Sequence, residues 1–234
     1  MTDHDPADRA DAWTIVVAGG SGRRFGTEKQ YEQLDGRRVI DRACDAARRW
    51  SDGLVVVLPS DDAAAAWMAS GPKPELAVAG GATRSGSVRA GLAAVPESVG
   101  IVCVHDAARP LATSELFARV IAAVRDGAAG AVPALAVTDT IKVVDGSGAV
   151  VDTPDRSTLV AVQTPQAFAG PLLRRAHAGG ADGTDDAALV EQAGGRVVVV
   201  AGEPWNRKIT EPDDLAWARA WLERMVSGER EVAS

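Results

Sequence analysis

Residues 13–26 read WTIVVAGGSGRRFG, an apolar run of strand length followed directly by a glycine-rich loop with two arginines. The run does not alternate apolar and polar residues, which indicates a strand that is buried on both faces. Small residues after such a strand let the backbone approach a ligand, and successive N–H groups there can hold a phosphate. The stretch therefore predicts the first strand of an α/β protein and a phosphate-binding loop, with an ordinary tight turn as the alternative.

The rest of the first half alternates apolar runs with helical patterns. Further buried strands are predicted at residues 54–58, 76–79, 101–105 and 131–137. The helices predicted from the spacing of apolar residues lie at 39–50, 63–70, 85–94 and 113–126. Strands that are apolar on both faces and separated by helices form parallel βαβ units. The sequence thus predicts an α/β fold with a doubly wound, mostly parallel sheet.

The alternation breaks after residue 137. Residues 138–168 hold two β-rich stretches on either side of Asp145-Gly146-Ser147-Gly148, a sequence typical of a hairpin turn. We expect residues 138–160 to form a projecting β-hairpin arm. Because a lone two-stranded arm is only marginally stable in water, we also expect a homodimer that covers it.

The α/β order then resumes, and the length of 234 residues favours a single domain. The remaining elements predicted are a helix at 184–193, strands at 197–201 and 206–210, and a closing helix at 213–226. We place the domain at residues 12–227, a disordered tail at 1–11 and a second tail at 228–234.

Composition excludes several classes of protein. The chain has 25 Lys and Arg against 32 Asp and Glu, a formal net charge of −7, which argues against a nucleic-acid binder. An anionic ligand must then be met by a few placed cations and N–H groups. Hydrophobic residues at 46% exclude a disordered chain, and no apolar run approaches the ~20 residues of a membrane span.

The cysteines and histidines do not suggest a disulfide scaffold or a zinc site. Cys44 and Cys103 lie in apolar patterns without a C-x-x-C pair, and the three histidines lack metal-binding spacing. Buried thiols fit a reducing compartment, so we expect a cytoplasmic protein.

Candidate ligand-binding residues follow the predicted strands. The glycine loop is not a Walker A motif, because no GKS or GKT follows, and it lacks the last glycine of G-x-G-x-x-G. Lys29 lies close enough in sequence to place a charge on the same phosphates, or else it is a surface lysine. Asp106 ends a strand at the edge where parallel sheets bind ligands, so it can reach a divalent cation or cap the next helix.

Together these segments resemble one family. The motifs AGGSGRRF, KQY, GGATRSGSV, VHDAARP, DTIK, QTPQAF, TDDAALVE and NRKITEPDDL are similar, in this order, to those of the 2-C-methyl-D-erythritol 4-phosphate cytidylyltransferases. The resemblance implies a Rossmann-like nucleotidyltransferase that forms CDP-methylerythritol and pyrophosphate from CTP and methylerythritol phosphate, in the non-mevalonate isoprenoid pathway. It also implies Mg²⁺ as cofactor and a homodimer joined through β-arms.

The resemblance also implies roles for individual residues. Arg24 and Lys29 correspond to the pair that stabilises charge on the CTP phosphates, and Lys208 to the lysine that positions the attacking phosphate. Asp106 corresponds to the magnesium and substrate carboxylate, and Arg156 to an arm residue that reaches the partner's site. The other substrate-binding residues implied are Ala18, Gly19, Gly20, Gly81, Arg84, Ser87, Ala107, Arg109, Thr140, Thr164 and Thr184.

The chain departs from the family pattern at three places: Glu28 precedes Lys29 in place of proline, the loop from Arg24 to Lys29 is shorter, and Arg207 replaces an aliphatic residue. Two alternatives therefore stay open, a cytidylyltransferase for another polyol phosphate such as ribitol 5-phosphate and a non-catalytic nucleotide-binding paralogue. An NAD-dependent reductase is disfavoured, because no acidic residue ends the second predicted strand.

Overall fold

The structure, a computed structural model, describes residues 11–19, 25, 28–70 and 75–232. Two residues of the predicted site, Gly20 and Arg24, lie outside the described residues. The predicted tail at 1–11 also lies outside them, apart from Asp11.

The described strands are β1 (Ala12–Val17), β2 (Gln33–Leu34), β3 (Arg37–Arg38), β4 (Gly53–Leu58), β5 (Glu75–Ala79), β6 (Ile101–Asp106), β7 (Gly130–Ala136), β8 (Val143–Val144), β9 (Val150–Asp152), β10 (Val160–Val162), β11 (Gln166–Ala169) and β12 (Val197–Ala201). The helices are α1 (Val39–Arg48), α2 (Asp61–Ser70), α3 (Arg84–Ala94), α4 (Ser114–Arg125), α5 (Gly170–Ala178), α6 (Asp186–Gln192) and α7 (Pro212–Val232). Short 3₁₀ turns occur at Lys29–Tyr31 and Arg156–Thr158.

Eight strands of the described chain form the main sheet, in which β5, β4, β1, β6, β11 and β7 are successive neighbours. β12 pairs with one side of β7, and β10 pairs with the other side, next to β11. β10 and β11 run antiparallel to the other six strands. Val17 of β1 is level with Val57 of β4 and Asp106 of β6, so the carboxyl ends of these strands share one edge.

The apolar runs are buried on both faces, as the sequence predicts. Val16 and Val56 pack with α1, α2 and α4 on one face, whereas Ile15 and Val55 pack with α3 on the other. The predicted doubly wound, mostly parallel sheet is therefore confirmed. Every strand and helix predicted in the first half lies within two residues of its observed bounds.

The arm region divides into two parts. β8 and β9 form a separate two-stranded hairpin, and Asp145 holds its turn by accepting hydrogen bonds from the Ser147 N–H (2.8 Å) and hydroxyl (2.7 Å). Gly148 has a φ of +85°, a conformation that favours glycine. β10 and β11, in the second β-rich stretch, instead complete the main sheet beside β7 and β6.

Two predictions about the second half need correction. Residues 206–210 do not form a strand, because their backbone is hydrogen-bonded at separate points, such as Ile209 N–H to the Ala108 carbonyl (2.8 Å), and not along a ladder. The closing helix runs on to Val232, past the predicted end at residue 226, through a segment that contains the helix formers Glu and Arg. Within the described ranges, no helix combines the length and apolarity that a membrane crossing requires.

Helix α5 was not predicted from the sequence. Gly170 begins this helix where a Cβ atom would lie 2.4 Å from the Val99 carbonyl oxygen, so only glycine fits. Pro171 occupies the first turn, where its missing N–H costs nothing, and Leu173 packs into the core. These were usable signals: a glycine and proline pair followed by apolar residues.

Candidate active site

A cavity of about 540 Å³ opens at the carboxyl edge of the sheet, beyond the ends of β1 and β6. This is the edge at which doubly wound folds bind their ligands. Its walls bring together most of the residues predicted from the sequence. Those that line it are Ala18, Gly19, Lys29, Gly81, Arg84, Ser87, Asp106, Ala107 and Lys208.

Other predicted residues lie elsewhere. Thr140 and Arg156 are exposed on the arm and are not among the residues that line this chain's own cavity, and the Arg156 guanidinium donates to the Thr138 carbonyl. Thr184 is exposed in the loop before α6. Arg109 and Thr164 lie behind the wall, next to Asp106.

Asp106 is the centre of charge in the cavity. Its carboxylate accepts a hydrogen bond from the Lys208 ammonium at 2.8 Å and lies 3.5 Å from the Arg84 guanidinium. Burial by itself would raise the pKa of Asp106, but the cations Lys208, Arg84 and Arg109 outweigh it and hold that pKa well below the ordinary range. Asp106 is therefore ionised at neutral pH. It does not cap the following helix, because Thr113 fills that position and accepts from the Leu116 N–H (3.2 Å).

The segment that carries Lys208 is held from both sides. Trp205 stacks on Trp221 of α7 with ring centroids 5.7 Å apart, and the Arg207 guanidinium lies 4.6 Å from the Trp217 ring. Lys208 points the other way, since its ammonium reaches Asp106. The alternating contacts fix the backbone at Lys208 without a strand ladder.

Lys29 connects the first 3₁₀ turn to the same segment. Its ammonium donates to the Ile209 carbonyl at 2.7 Å, and the side chain is half-buried in the cavity wall. The alternative of an ordinary surface lysine is therefore wrong. Glu28, which precedes it, is exposed.

One wall of the cavity is built mainly from small residues around the start of α3. Thr83 caps this helix by accepting from the Gly86 N–H (3.0 Å), and the Ser87 hydroxyl donates to the Thr83 carbonyl (3.0 Å). A Cβ atom at Gly81 would lie 2.8 Å from the Gly86 backbone, so the close approach needs glycine. This wall therefore presents close-packed backbone and the Ser87 side chain at a helix start.

His105 is a supporting residue that was not predicted from the sequence. It is fully buried behind Asp106, and the Thr164 hydroxyl accepts from the Asp106 N–H (3.0 Å) and donates to His105 Nδ1 (3.0 Å). The His105 Nε2–H then donates to the Arg109 carbonyl (3.2 Å). The network assigns His105 the neutral Nε2–H form. The signal was its place in an apolar strand, where a polar side chain needs partners.

We expect acid to destabilise the fold through His105. Burial lowers the pKa of His105 from 6.5 to about 4, a shift worth about 3 kcal/mol. The unfolded chain takes up this proton below about pH 6.5, so the free energy of unfolding falls between pH 6.5 and 4 and is unaffected by His105 above that window. Urea unfolding at pH 7 and pH 5 measures the loss. His105→Asn, which keeps an acceptor near Nδ1, should show a smaller loss, and an equal loss would contradict this origin.

The side chains that line the cavity decide whether it could bind a metal ion. Among the residues that the structure describes, no group of three His, Cys, Asp or Glu side chains converges to hold one. A single carboxylate is still sufficient for Mg²⁺, which keeps several waters and takes its other ligands from substrate phosphates. Asp106, a hard oxygen donor ionised at neutral pH in the cavity, fits that pattern.

The geometry defines a class of enzyme. Of the described residues, three cations and one carboxylate line a cavity at the carboxyl edge of a doubly wound sheet, together with several small residues. Such a site brings two anionic phosphate compounds together and offsets their repulsion, as nucleotidyltransferases do.

Comparisons with known proteins specify the family. The family model for 2-C-methyl-D-erythritol 4-phosphate cytidylyltransferase matches residues 12–224. A protein of that name from Rhodococcus opacus (strain B4) is 47% identical, with 92% of this chain and 96% of the relative covered.

Two solved structures share the fold. The 4-diphosphocytidyl-2C-methyl-D-erythritol synthase of Anaerococcus prevotii has a TM-score of 0.80 at 31% identity, with 92% of this chain and 100% of that chain covered. The cytidylyltransferase of Thermus thermophilus has a TM-score of 0.73 at 35% identity, with 89% and 98% covered.

The chain belongs to the 2-C-methyl-D-erythritol 4-phosphate cytidylyltransferase family. The resemblance drawn from its motifs is thereby confirmed, as is the nucleotidyltransferase class that it implied. The alternative of another polyol phosphate as substrate gains no support from the relatives.

Proposed function

We propose that the chain transfers the cytidylyl group of CTP to 2-C-methyl-D-erythritol 4-phosphate and releases pyrophosphate. The observation that carries the proposal is that Lys29, Arg84, Lys208 and Asp106 line one cavity, on motifs that match this family.

The chemistry accounts for this set of residues. A phosphate monoester is an anionic nucleophile near neutral pH, so its oxygen attacks the α-phosphorus of CTP without a strong base. The new P–O bond forms as the bond to pyrophosphate breaks. The barrier comes mainly from bringing two anions together, so positioning and charge compensation supply the rate.

The two lysines of the cavity have separate proposed tasks. Lys29, together with Arg24 of the glycine loop, compensates the charge that develops on the CTP phosphates. Lys208 holds the attacking phosphate, and Asp106 keeps its ammonium in place at 2.8 Å until that phosphate arrives. The wall at Gly81 and Ser87, together with Ala18 and Gly19, is where we place the cytosine and ribose, and Gly20 stays a predicted contact.

We propose that Asp106 also holds Mg²⁺, with the remaining ligands supplied by CTP phosphates and water. Bound there, the ion would neutralise charge on the triphosphate. Ala107 follows Asp106 in the same wall, while Arg109 and Thr164 support Asp106 from behind. Thr184 stays a predicted substrate contact.

We propose further that the chain works as a homodimer joined through the arm. The β8–β9 hairpin exposes apolar side chains, with Val144 at 55% and Val151 at 60% exposure in the single chain, and a partner would cover them. Thr140 and Arg156 on this arm would then reach the partner's cavity and grip its methylerythritol phosphate. The buried thiols Cys44 and Cys103 support a reducing, cytoplasmic setting.

A pyrophosphate-release assay with paired acceptors tests the function. With CTP and Mg²⁺ present, we expect rapid release with methylerythritol phosphate, little with ribitol 5-phosphate, and none without an acceptor. Mass spectrometry identifies the CDP-linked product. Release with ribitol 5-phosphate alone would contradict the proposed substrate, and no release with either acceptor would contradict catalysis.

A further inference from the structure

The motif TDDA at residues 184–187 contains two aspartates with different surroundings. Asp185 caps the start of α6, because its Oδ1 accepts from the Ala188 N–H at 2.9 Å. Its Oδ2 accepts from the Gln166 amide at 2.9 Å. Capping the helix therefore accounts for the role of Asp185. It does not explain why a second carboxylate, Asp186, is present.

Asp186 is completely buried, and its Oδ2 lies 2.7 Å from Nη1 of Arg84 in a salt bridge. Its other oxygen lies 3.1 Å from Nε2 of His177, a buried side chain on α5. Burying a carboxylate costs free energy that a salt bridge often fails to recover, so stability alone is a weak reason for the pair. The two donors, Arg84 on α3 and His177 on α5, do fix the orientation of the Asp186 carboxylate.

Arg84 is the link between this buried pair and the cavity. Its Nε lies 3.5 Å from Asp106, its side chain is about a quarter exposed, and it lines the cavity. Burial alone would lower the pKa of Arg84, but Asp186 and Asp106 raise it overall, so the guanidinium keeps its charge. Without the charge of Asp186, the arginine would be free to turn onto Asp106 and occupy the oxygens that face the substrate.

We propose that Asp186, oriented by His177, is a positioning residue that holds Arg84 in the cavity wall with its charge directed at the anionic substrates. The inference rests on the proposed function, because it assigns a use to Arg84 in the same site. Asp186 acts through Arg84 and does not itself touch substrate.

The test is a double-mutant cycle on kcat/KM for CTP, begun with the wild-type enzyme. Asp186→Asn keeps the shape of the side chain but removes its charge, and we expect kcat/KM to fall about tenfold, the size of a lost charged hydrogen bond. In an Arg84→Met background, Asp186→Asn should lower kcat/KM less than about twofold, because that background has no guanidinium for Asp186 to position. A loss that is equal in both backgrounds would overturn the proposal.

Two further variants separate positioning from stability. Asp185→Ala removes the cap of α6 without touching Arg84, so the melting temperature of this variant should fall. Its effect on kcat/KM should be the same in the wild-type and Arg84→Met backgrounds. His177→Gln keeps a donor near Nε2 and should stay within about twofold of wild type, whereas His177→Leu should lose activity in a way that also depends on Arg84. If Asp186→Asn does not fold, the His177 pair decides the question: equal activity of the Gln and Leu variants would overturn the proposal. An inactive wild type would instead contradict the proposed function.

Discussion

Replacing Lys208 with alanine is expected to lower kcat about 100- to 1000-fold, the range typical for loss of one charge-stabilising donor. The Lys208 ammonium lies 2.8 Å from Asp106, and in the proposed reaction it holds the attacking phosphate. Its side chain is 41% exposed, so its removal leaves no core cavity, and Arg84 and Arg109 still compensate the Asp106 charge. Steady-state kinetics with both substrates, together with a melting curve, measures the effect.

The neighbouring arginine supplies a matched control. Arg207→Ala removes a positive charge one residue away, but that guanidinium lies on the Trp217 ring, on the α7 side of the segment. We expect its kcat to stay within about threefold of wild type, since the lost cation–π contact is worth about 0.5–1 kcal/mol, and the Trp205–Trp221 stack and the Ile209–Ala108 hydrogen bond still hold the segment. Equal losses of kcat in the two variants would mean that the reaction needs only the net charge of the segment, and they would contradict the specific role proposed for Lys208.

The fold was largely predictable because its signals are local. Strands such as β1 and β4 are apolar throughout, and glycine or capping residues mark where α3 begins, so their bounds follow from composition and spacing. β10 and β11 were harder to place. Their residues look like the second half of a hairpin arm, and only long-range pairing with β7 and β6 puts them in the main sheet.

The candidate site was predictable where a residue type carries chemistry at a strand end, as Asp106 does. The supporting residues were not, because their functions arise from contacts across the chain. His105 depends on Thr164, and Asp186 depends on Arg84, each across more than fifty residues of sequence. The segment at 206–210 shows the same limit, since contacts with α7 and Asp106 determine its shape.

The arm predicts a second large effect, which appears on mixing two inactive variants. If each site uses its own Lys208 and the partner's Arg156, then Lys208→Ala and Arg156→Ala homodimers are both defective at both sites. A mixed dimer carries both lesions at one site and neither at the other. Because random exchange makes about half of the dimers mixed, activity should recover to about a quarter of the wild-type value.

A second mixture controls for recovery by any other route. Lys29 and Lys208 line the same cavity of one chain. In a mixed dimer of Lys29→Ala and Lys208→Ala chains, one site therefore lacks Lys29 and the other site lacks Lys208. That mixture should stay inactive. Subunit exchange is verified by native mass spectrometry of tagged chains before activity is measured. Verified exchange without recovery in the first mixture would refute the shared site, and recovery in both would show that the arm is not its cause. Recovery in the first mixture alone requires Arg156 to act across the dimer, since within its own chain it is exposed on the arm and is not among the residues that line the cavity.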